Sequence, residues 1–327
     1  MIDLAKVLAD LESQAGGAGK LPCLEEGSLD RLRRLVKEQS GLPITLDCRK
    51  KLLPVTDVDL DGVVVPFCVW LKGLAGGHSA KVGRRGRILV GIIGAAGAGK
   101  STLAQLICLA CSVLWRTEGA AWVQCASMDG YSLPNSHLST QPATDHLGRP
   151  CTLKDVKGVP NTLDADAFLG DLVRLRSPGS ANQAVFLPAY DRDLHDPVPD
   201  SVAVAPECRV VVVEGLHLLH RKGKWKDISE AFNRTVFLDV ERSCCFERVV
   251  ARKVSNGRSL ESAEAHFARV DGPTFDQLQE EKHHANLVLT MRPNGSTTSN
   301  GPDNTPLHIS AIDSRLGRQD SATIPVP

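Results

Sequence analysis

One stretch limits what this chain can fold into: Gly94-Ala95-Ala96-Gly97-Ala98-Gly99-Lys100-Ser101, with Thr102 behind it. It satisfies G-x-x-x-x-G-K-[ST]. It also stands directly after the apolar run Ile88 to Ile93 and directly before a helical pattern from Thr102 to about Trp115, so the strand, loop and helix context is met. Glycines at 94, 97 and 99 let backbone N–H groups turn inward, and the four unpaired N–H donors that open the next helix, with its dipole, complete an anion site. Lys100 is expected to reach the terminal phosphates of a nucleoside triphosphate and Ser101 to hold its Mg²⁺.

The rest of the chain is ordinary enough to serve such a site. Its 327 residues suffice for one large domain and an accessory segment. Lysine plus arginine equal aspartate plus glutamate at 38 each. That balance argues against a nucleic-acid or membrane-surface partner and for a small, locally recognised substrate. No run approaches the roughly 18 uninterrupted apolar residues of a membrane span, and no leader pattern opens the chain, so a cytoplasmic location is expected. The ten cysteines form no compact framework and are expected to be reduced thiols. Cys108 and Cys111 have C-x-x-C spacing, but they fall on the apolar side of the helix after the P-loop with no second pair at zinc spacing, so packing is the expected role.

Leu4, Val7, Leu8 and Leu11 form one helical stripe, and Leu29, Leu32, Leu35 and Val36 another, from Ser28 to Gly41-Leu42-Pro43. The apolar stretch Val63 to Leu74 has Pro66 suited to the first turn of a helix. Gly76 to Arg87, with Lys81, Arg84, Arg85 and Arg87, reads as a solvated linker. The expected organisation is an N-terminal helical extension and linker over 1–85, a P-loop domain over 86–292 and a disordered tail over 293–327. Within the domain, apolar runs at 88–93, 121–126, 210–213, 235–240 and 287–289 alternate with helical patterns. That predicts an α/β fold, a parallel sheet of about five strands with helices on both faces.

Ligand residues are expected at the carboxyl ends of those strands. Two of them are acidic: Ser127-Met128-Asp129-Gly130-Tyr131 and Val213-Glu214-Gly215. Asp129 is the candidate general base, and Glu214, after four valines, the candidate acid beside Mg²⁺ and its waters. Whether Glu214 shares the role of base is left open. Arg248 and Arg252 lie one turn apart on a single helix face.

The ordered set Gly94 to Thr102, Met128-Asp129-Gly130-Tyr131, Lys157-Gly-Val-Pro-Asn-Thr-Leu-Asp164, Pro188-Ala-Tyr-Asp-Arg192 with His195-Asp-Pro-Val198, and Val213-Glu-Gly-Leu-His-Leu-Leu219 resembles the phosphoribulokinase/uridine kinase family. It is most similar to the branch of uridine-kinase-like ATPases and type I pantothenate kinase, over about residues 63 to 292. The resemblance implies an ATP- and Mg²⁺-dependent transfer of a γ-phosphate to a hydroxyl of a nucleoside, sugar, sugar acid or pantothenate-like alcohol. It assigns the acceptor wall to Tyr131, Tyr190, Asp191, Arg192 and His195, and an arginine-bearing lid to Arg248 and Arg252. Asp164 is expected to cap the helix that follows it. Two positions depart from the branch: Ser132 follows Tyr131 where a histidine is common, and Asp271-Gly-Pro-Thr274 replaces an asparagine-rich turn. A P-loop hydrolase and a non-catalytic ATP-binding homologue are the alternatives, and a homo-oligomer is compatible with the sequence.

Overall fold

The valine- and isoleucine-rich runs become the strands of one sheet in a computed structural model, which describes residues 22–46, 49–82, 86–116, 122–292 and 308–312. In chain order, α1 (Ser28–Gln39) leads to the hairpin β1 (Leu42–Leu46) and β2 (Arg49–Leu53), then α2 (Val65–Val82), β3 (Ile88–Gly94) and α3 (Lys100–Leu114). Next come β4 (Val123–Ser127), a short hairpin of β5 (Pro142–Thr144) and β6 (Pro150–Thr152), α4 (Ala165–Arg176), a long hairpin of β7 (Val185–Asp191) and β8 (Asp196–Val204), and β9 (Val210–Gly215). The chain continues through α5 (Lys224–Glu230), β10 (Arg234–Val240), α6 (Arg242–Ser255), α7 (Leu260–His266), α8 (Gly272–Glu281), β11 (Leu287–Arg292) and β12 (His308–Ile312).

The sheet order is β12-β11-β10-β3-β9-β4. The five strands from β11 to β4 run parallel, and β12 is added antiparallel at the edge. Every residue of β3 and β9 is buried, which is why these strands read as continuous apolar runs and not as alternating ones. After β3 the chain crosses to the β4 edge and returns to fill the position between them with β9. Ile92 therefore stands opposite Glu214, and Ser127 opposite Glu214 on the other side. Three motif-bearing strand ends thus converge where the strand order reverses.

The extension seals the far side of the P-loop helix. Leu32, Leu42, Leu60, Phe67 and Trp70 share one core with Leu103 and Ile107 of α3. The backbone N–H of Thr45 also donates to Gln105 Oε1 at 2.6 Å. The stripe Leu4 to Leu11 lies outside the described residues. The hairpin of β1 and β2 was not foreseen, because Leu42-Pro-Ile-Thr-Leu46 and Arg49-Lys-Lys-Leu-Leu53 are short and carry little alternation.

One expectation holds with an addition and one needs correction. Pro66 is the second residue of α2, in its first turn, but the helical path starts earlier, at Asp57, where Thr56 and Asp59 form a reciprocal capping box. It then passes through a π-helical turn, Leu60–Val64, before α2. That wider turn, closed by the Val65 N–H on the Leu60 carbonyl, lets a proline that would break a regular helix sit inside a continuous one. Arg87 is not part of a solvated linker. It is 2% exposed, and its guanidinium donates to Ser180 Oγ at 2.9 Å and to the carbonyls of Gln183 at 3.0 Å and Ala205 at 3.1 Å, fastening the approaches to β7 and β9 at the entry to β3. The Lys81 side chain and Arg84 and Arg85 lie outside the described residues. In the stretch read as a tail, His308–Ile312 pairs with β11; the sequence on either side lies outside the described residues.

Asp164 caps α4, accepting from the Ala167 N–H at 2.9 Å. Cys108 and Cys111 are free thiols, and among the described residues no group of three or more His, Cys, Asp or Glu is arranged to hold a metal ion. No described helix is long and apolar enough to cross a membrane.

Candidate active site

The loop between β3 and α3 has the conformation its glycines permit. Gly97 has φ +82° and Gly99 φ +89°, the left-handed region that other residues avoid. A Cβ on Gly97 would lie 2.7 Å from the Cys245 carbonyl oxygen at the start of α6, so the close approach of that helix requires glycine. Lys100 opens α3 and is buried, with its Nζ donating to the Ala95 carbonyl at 3.0 Å. Burial pushes its pKa down. Glu214 and then Asp129 pull it back up, and Arg252 presses it lower.

The two strand-end acids share that field. Glu214 is 7% exposed, and its pKa is raised first by burial and then by the charge of Asp129. Lys100 and hydrogen bonds from the Ser127 and Ser101 hydroxyls work against the rise. Asp129 goes the other way. Burial raises it, but Arg192 foremost, then Lys100 and Arg252, hold its carboxyl below the usual range. Neighbouring carboxylates in unequal surroundings separate in this way, one staying ionised and the other holding its proton more readily. Asp129 is set in position by Ser127, whose hydroxyl accepts from the Asp129 N–H at 3.2 Å and caps the turn Met128–Tyr131.

From α6, the Arg248 guanidinium donates to the Gly97 carbonyl at 3.3 Å, and Arg252 is near enough for its charge to act on Lys100 and Asp129. Arg248 therefore reaches the P-loop, and Arg252 stands one turn further along α6. The Asp271-Gly-Pro-Thr274 sequence is used structurally: the Asp271 carboxylate joins α6 to α7 through Lys253 at 3.1 Å and His266 at 3.2 Å.

Opposite the P-loop, the hairpin of β7 and β8 builds a second wall, to which the sequence assigned Tyr131, Tyr190, Asp191, Arg192 and His195. Arg192 Nη2 donates to Asp129 Oδ2 at 2.5 Å, with both side chains about one-third exposed. Its guanidinium also lies 4.8 Å from the centre of the Tyr190 ring. Tyr131, Asp191 and His195 have structural partners of their own. Tyr131 is in the core, its ring against Phe168 and its hydroxyl donating to Asp171 at 2.8 Å. Asp191 uses its carboxylate to accept from the Asp193 and Leu194 N–H groups, a turn that shapes the hairpin tip. His195 has φ +56°, and its carbonyl receives the Tyr190 hydroxyl at 2.7 Å, Asn135 Nδ2 at 2.7 Å and Lys157 Nζ at 3.0 Å.

Lys157, named in the sequence only as the first residue of the Lys157–Asp164 motif, belongs to this wall. Its Nζ donates to Asn135 Oδ1 at 2.9 Å and lies 4.8 Å from the centre of the same Tyr190 ring. Burial lowers its pKa, and the charge of Arg192 is among the smaller causes. No local pattern distinguishes such a lysine; the available signal was its place beside Gly158-Val-Pro in a motif shared with enzymes of one fold.

Behind Glu214, His217 fixes the loop that carries Lys157. It is fully buried, its Nε2 lies 2.7 Å from the Gly158 carbonyl oxygen and so donates to it, and its Nδ1 has no partner among the described residues. Burial holds its pKa down at about 4, from an ordinary 6.5. Between those values the unfolded chain binds a proton that the folded one refuses, so stability is complete above about pH 6.5 and falls by about 3 kcal/mol as the pH drops to about 4. Urea denaturation at pH 7.5, 5.5 and 4.5 should register that loss. His217→Gln, which retains an N–H donor, should flatten the slope, and equal slopes in both proteins would contradict the assignment.

A profile of the Phosphoribulokinase / Uridine kinase family matches residues 89–297. The ATP-dependent kinase-like protein notR' of Aspergillus versicolor is 34% identical over 139 residues, 42% of this chain and 77% of that protein. The uridine kinase of Shewanella frigidimarina is 27% identical over 204 residues, 62% of this chain and 86% of its own. Among solved structures, a candidate fructose transport system kinase from Silicibacter sp. TM1040 superposes with a TM-score of 0.54 at 26% identity, covering 67% of this chain and 95% of that one. The D-glycerate 3-kinase of Cryptococcus neoformans, at 14% identity, TM-score 0.51 and coverage of 70% and 95%, shares the fold. The matched span begins in the strand that feeds the P-loop and extends past β11, taking in both acidic strand ends and the α6 arginines: the chain belongs to the phosphoribulokinase/uridine kinase family of P-loop kinases.

Proposed function

We propose that the protein is a small-molecule kinase that transfers the γ-phosphoryl group of ATP to a hydroxyl of a metabolite, drawn from the nucleosides, sugars, sugar acids and pantothenate-like alcohols. The observation that carries this reading is the shared field of Lys100, Glu214, Asp129 and Arg252 at the mouth of the P-loop, with Asp129 also paired to the opposite wall. Gly94, Ala95, Ala96, Gly97, Ala98, Gly99, Lys100, Ser101 and Thr102 hold the triphosphate. Asp129, kept ionised, accepts the hydroxyl proton while the acceptor oxygen bonds to the γ-phosphorus and the bond to the β–γ bridging oxygen breaks, its electrons leaving with ADP. Arg248 and Arg252 meet the charge that develops on the moving phosphoryl.

The residues fit a hard divalent ion that keeps most of its waters: one buried carboxylate, Glu214, hydrogen-bonded by the Ser101 hydroxyl, and no cage of protein ligands among the described residues. Mg²⁺ held there by Ser101 and Glu214 would neutralise phosphate charge. The balanced net charge supports a small-molecule partner in preference to nucleic acid or a membrane, and the free thiols of all described cysteines support a reducing, cytoplasmic setting.

The test is a metabolite panel with purified protein and Mg-ATP, read as ADP formation and as phosphorylated product. Product from one alcohol class supports the proposal. Rapid ADP release independent of every acceptor would replace it with a hydrolase, and ATP-linked stabilisation with neither ADP nor product would indicate a non-catalytic binder.

A further inference from the structure

Two cations and one carboxylate meet on the wall opposite the P-loop. The Arg192 guanidinium and the Lys157 ammonium each lie 4.8 Å from the centre of the Tyr190 ring, while Arg192 Nη2 is 2.5 Å from Asp129 Oδ2. Lys157 is supported chiefly by neutral oxygens, Asn135 Oδ1 at 2.9 Å and the His195 carbonyl at 3.0 Å, with the Asp196 carboxylate at 3.9 Å already accepting the Asn135 N–H at 2.7 Å. Like charges brought around one ring repel, and the aromatic ring eases each of them.

Arg192 holds Oδ2 of Asp129 at 2.5 Å, so an acceptor whose hydroxyl reaches that carboxylate comes within reach of the guanidinium as well. A neutral acceptor would bring the two cations no counter-charge. An acceptor with its own carboxylate or phosphate would take over the guanidinium fork as its hydroxyl took over Asp129. We infer that the acceptor is a hydroxylated anion, its carboxylate or phosphate ester within a few bonds of the reacting hydroxyl, received by Arg192 and Lys157. The inference rests on the kinase reading and narrows it. Uncharged nucleosides and free sugars are then poor substrates. Arg192 then reads the charge of the acceptor directly beside the carboxylate that receives its proton.

Matched pairs isolate the charge: glycerate against glycerol, gluconate against glucose, and ribose 5-phosphate against ribose, with uridine as a further neutral alcohol. With full-length protein and Mg-ATP, the anionic member of at least one pair should have kcat/KM about 100-fold or more above its neutral partner. The hydroxy-acid and phosphate arms decide which anion it is. Arg192→Gln and Lys157→Met should raise KM for that acceptor at least 10-fold without changing KM for ATP, and Arg192→Lys should recover part of the loss. Calorimetric binding of the three anions in the presence of Mg²⁺ and a non-hydrolysable ATP analogue is the readout independent of turnover. Anion binding that is lost in Arg192→Gln, without product, would retain the cationic wall and reject the kinase. Phosphorylation of a neutral alcohol as well as its anionic partner, or no heat from any anion, would overturn this inference, the former leaving the kinase intact.

Discussion

Asp129→Asn is expected to lower kcat by about 10³-fold while the stabilisation of the protein by Mg-ATP persists. The asparagine keeps the shape of the side chain and still accepts from Arg192 through its amide oxygen, but it cannot take a proton at neutral pH. A positioned base contributes about 10² to 10⁴ in rate, and the expected loss corresponds to about 4 kcal/mol in the barrier. Asp129 must be ionised to work, so kcat/KM falls as the pH drops through its free-enzyme pKa. Because Arg192, more than Lys100 and Arg252, holds that pKa below the ordinary value of 3.8, the acid limb should begin below the usual carboxylate range. Arg192→Gln should move the limb upward. Rapid-quench measurement of phosphorylated product, with thermal melts in the presence and absence of Mg-ATP, checks both parts. Near wild-type turnover in Asp129→Asn would transfer the role of base to Glu214.

The fold was legible where burial acts on a whole run of residues. β3 and β9 are covered on both faces, so they appear as unbroken apolar runs, and the P-loop announces itself because a left-handed φ at Gly97 and Gly99 leaves little choice of residue. The acidic ends of β4 and β9 were readable for the same reason: a carboxylate directly after an apolar strand has few structural uses. The second wall was less legible. Tyr131, Asp191 and His195 lie near the right chain positions, but their side chains or carbonyls serve packing and turn geometry, which depends on partners 2 to 60 residues away. Lys157 and Asp129 are linked through Tyr190 and Arg192 of the hairpin of β7 and β8. Arg87 shows the opposite failure. A basic cluster beside glycines resembles a solvated linker, and only the arrival of three acceptors from distant loops turns one of its members into a buried clamp.

Lys100→Met should separate stability from function more sharply than any other substitution in the site. The net depression of the Lys100 pKa means that burial costs the ammonium more than Glu214 and Asp129 return to it, and that balance already counts both attractions. An apolar side chain of similar length removes the desolvation cost along with the attractions, so the melting temperature of the nucleotide-free protein should be no lower than that of the wild type. The phosphates, in contrast, lose the one buried cation at the head of α3. Transfer should fall by about 10³-fold, and the stabilisation by Mg-ATP that survives in Asp129→Asn should largely disappear here. Glu214 would then hold its proton more readily, since Lys100 is the foremost of the influences that lower its pKa, and the remaining activity should favour higher pH. Differential scanning fluorimetry with and without Mg-ATP, run beside the rapid-quench assay, distinguishes the two variants. A Lys100→Met protein that melts well below the wild type would make the lysine a structural element of the loop, and one that turns over normally would remove it from the phosphate site.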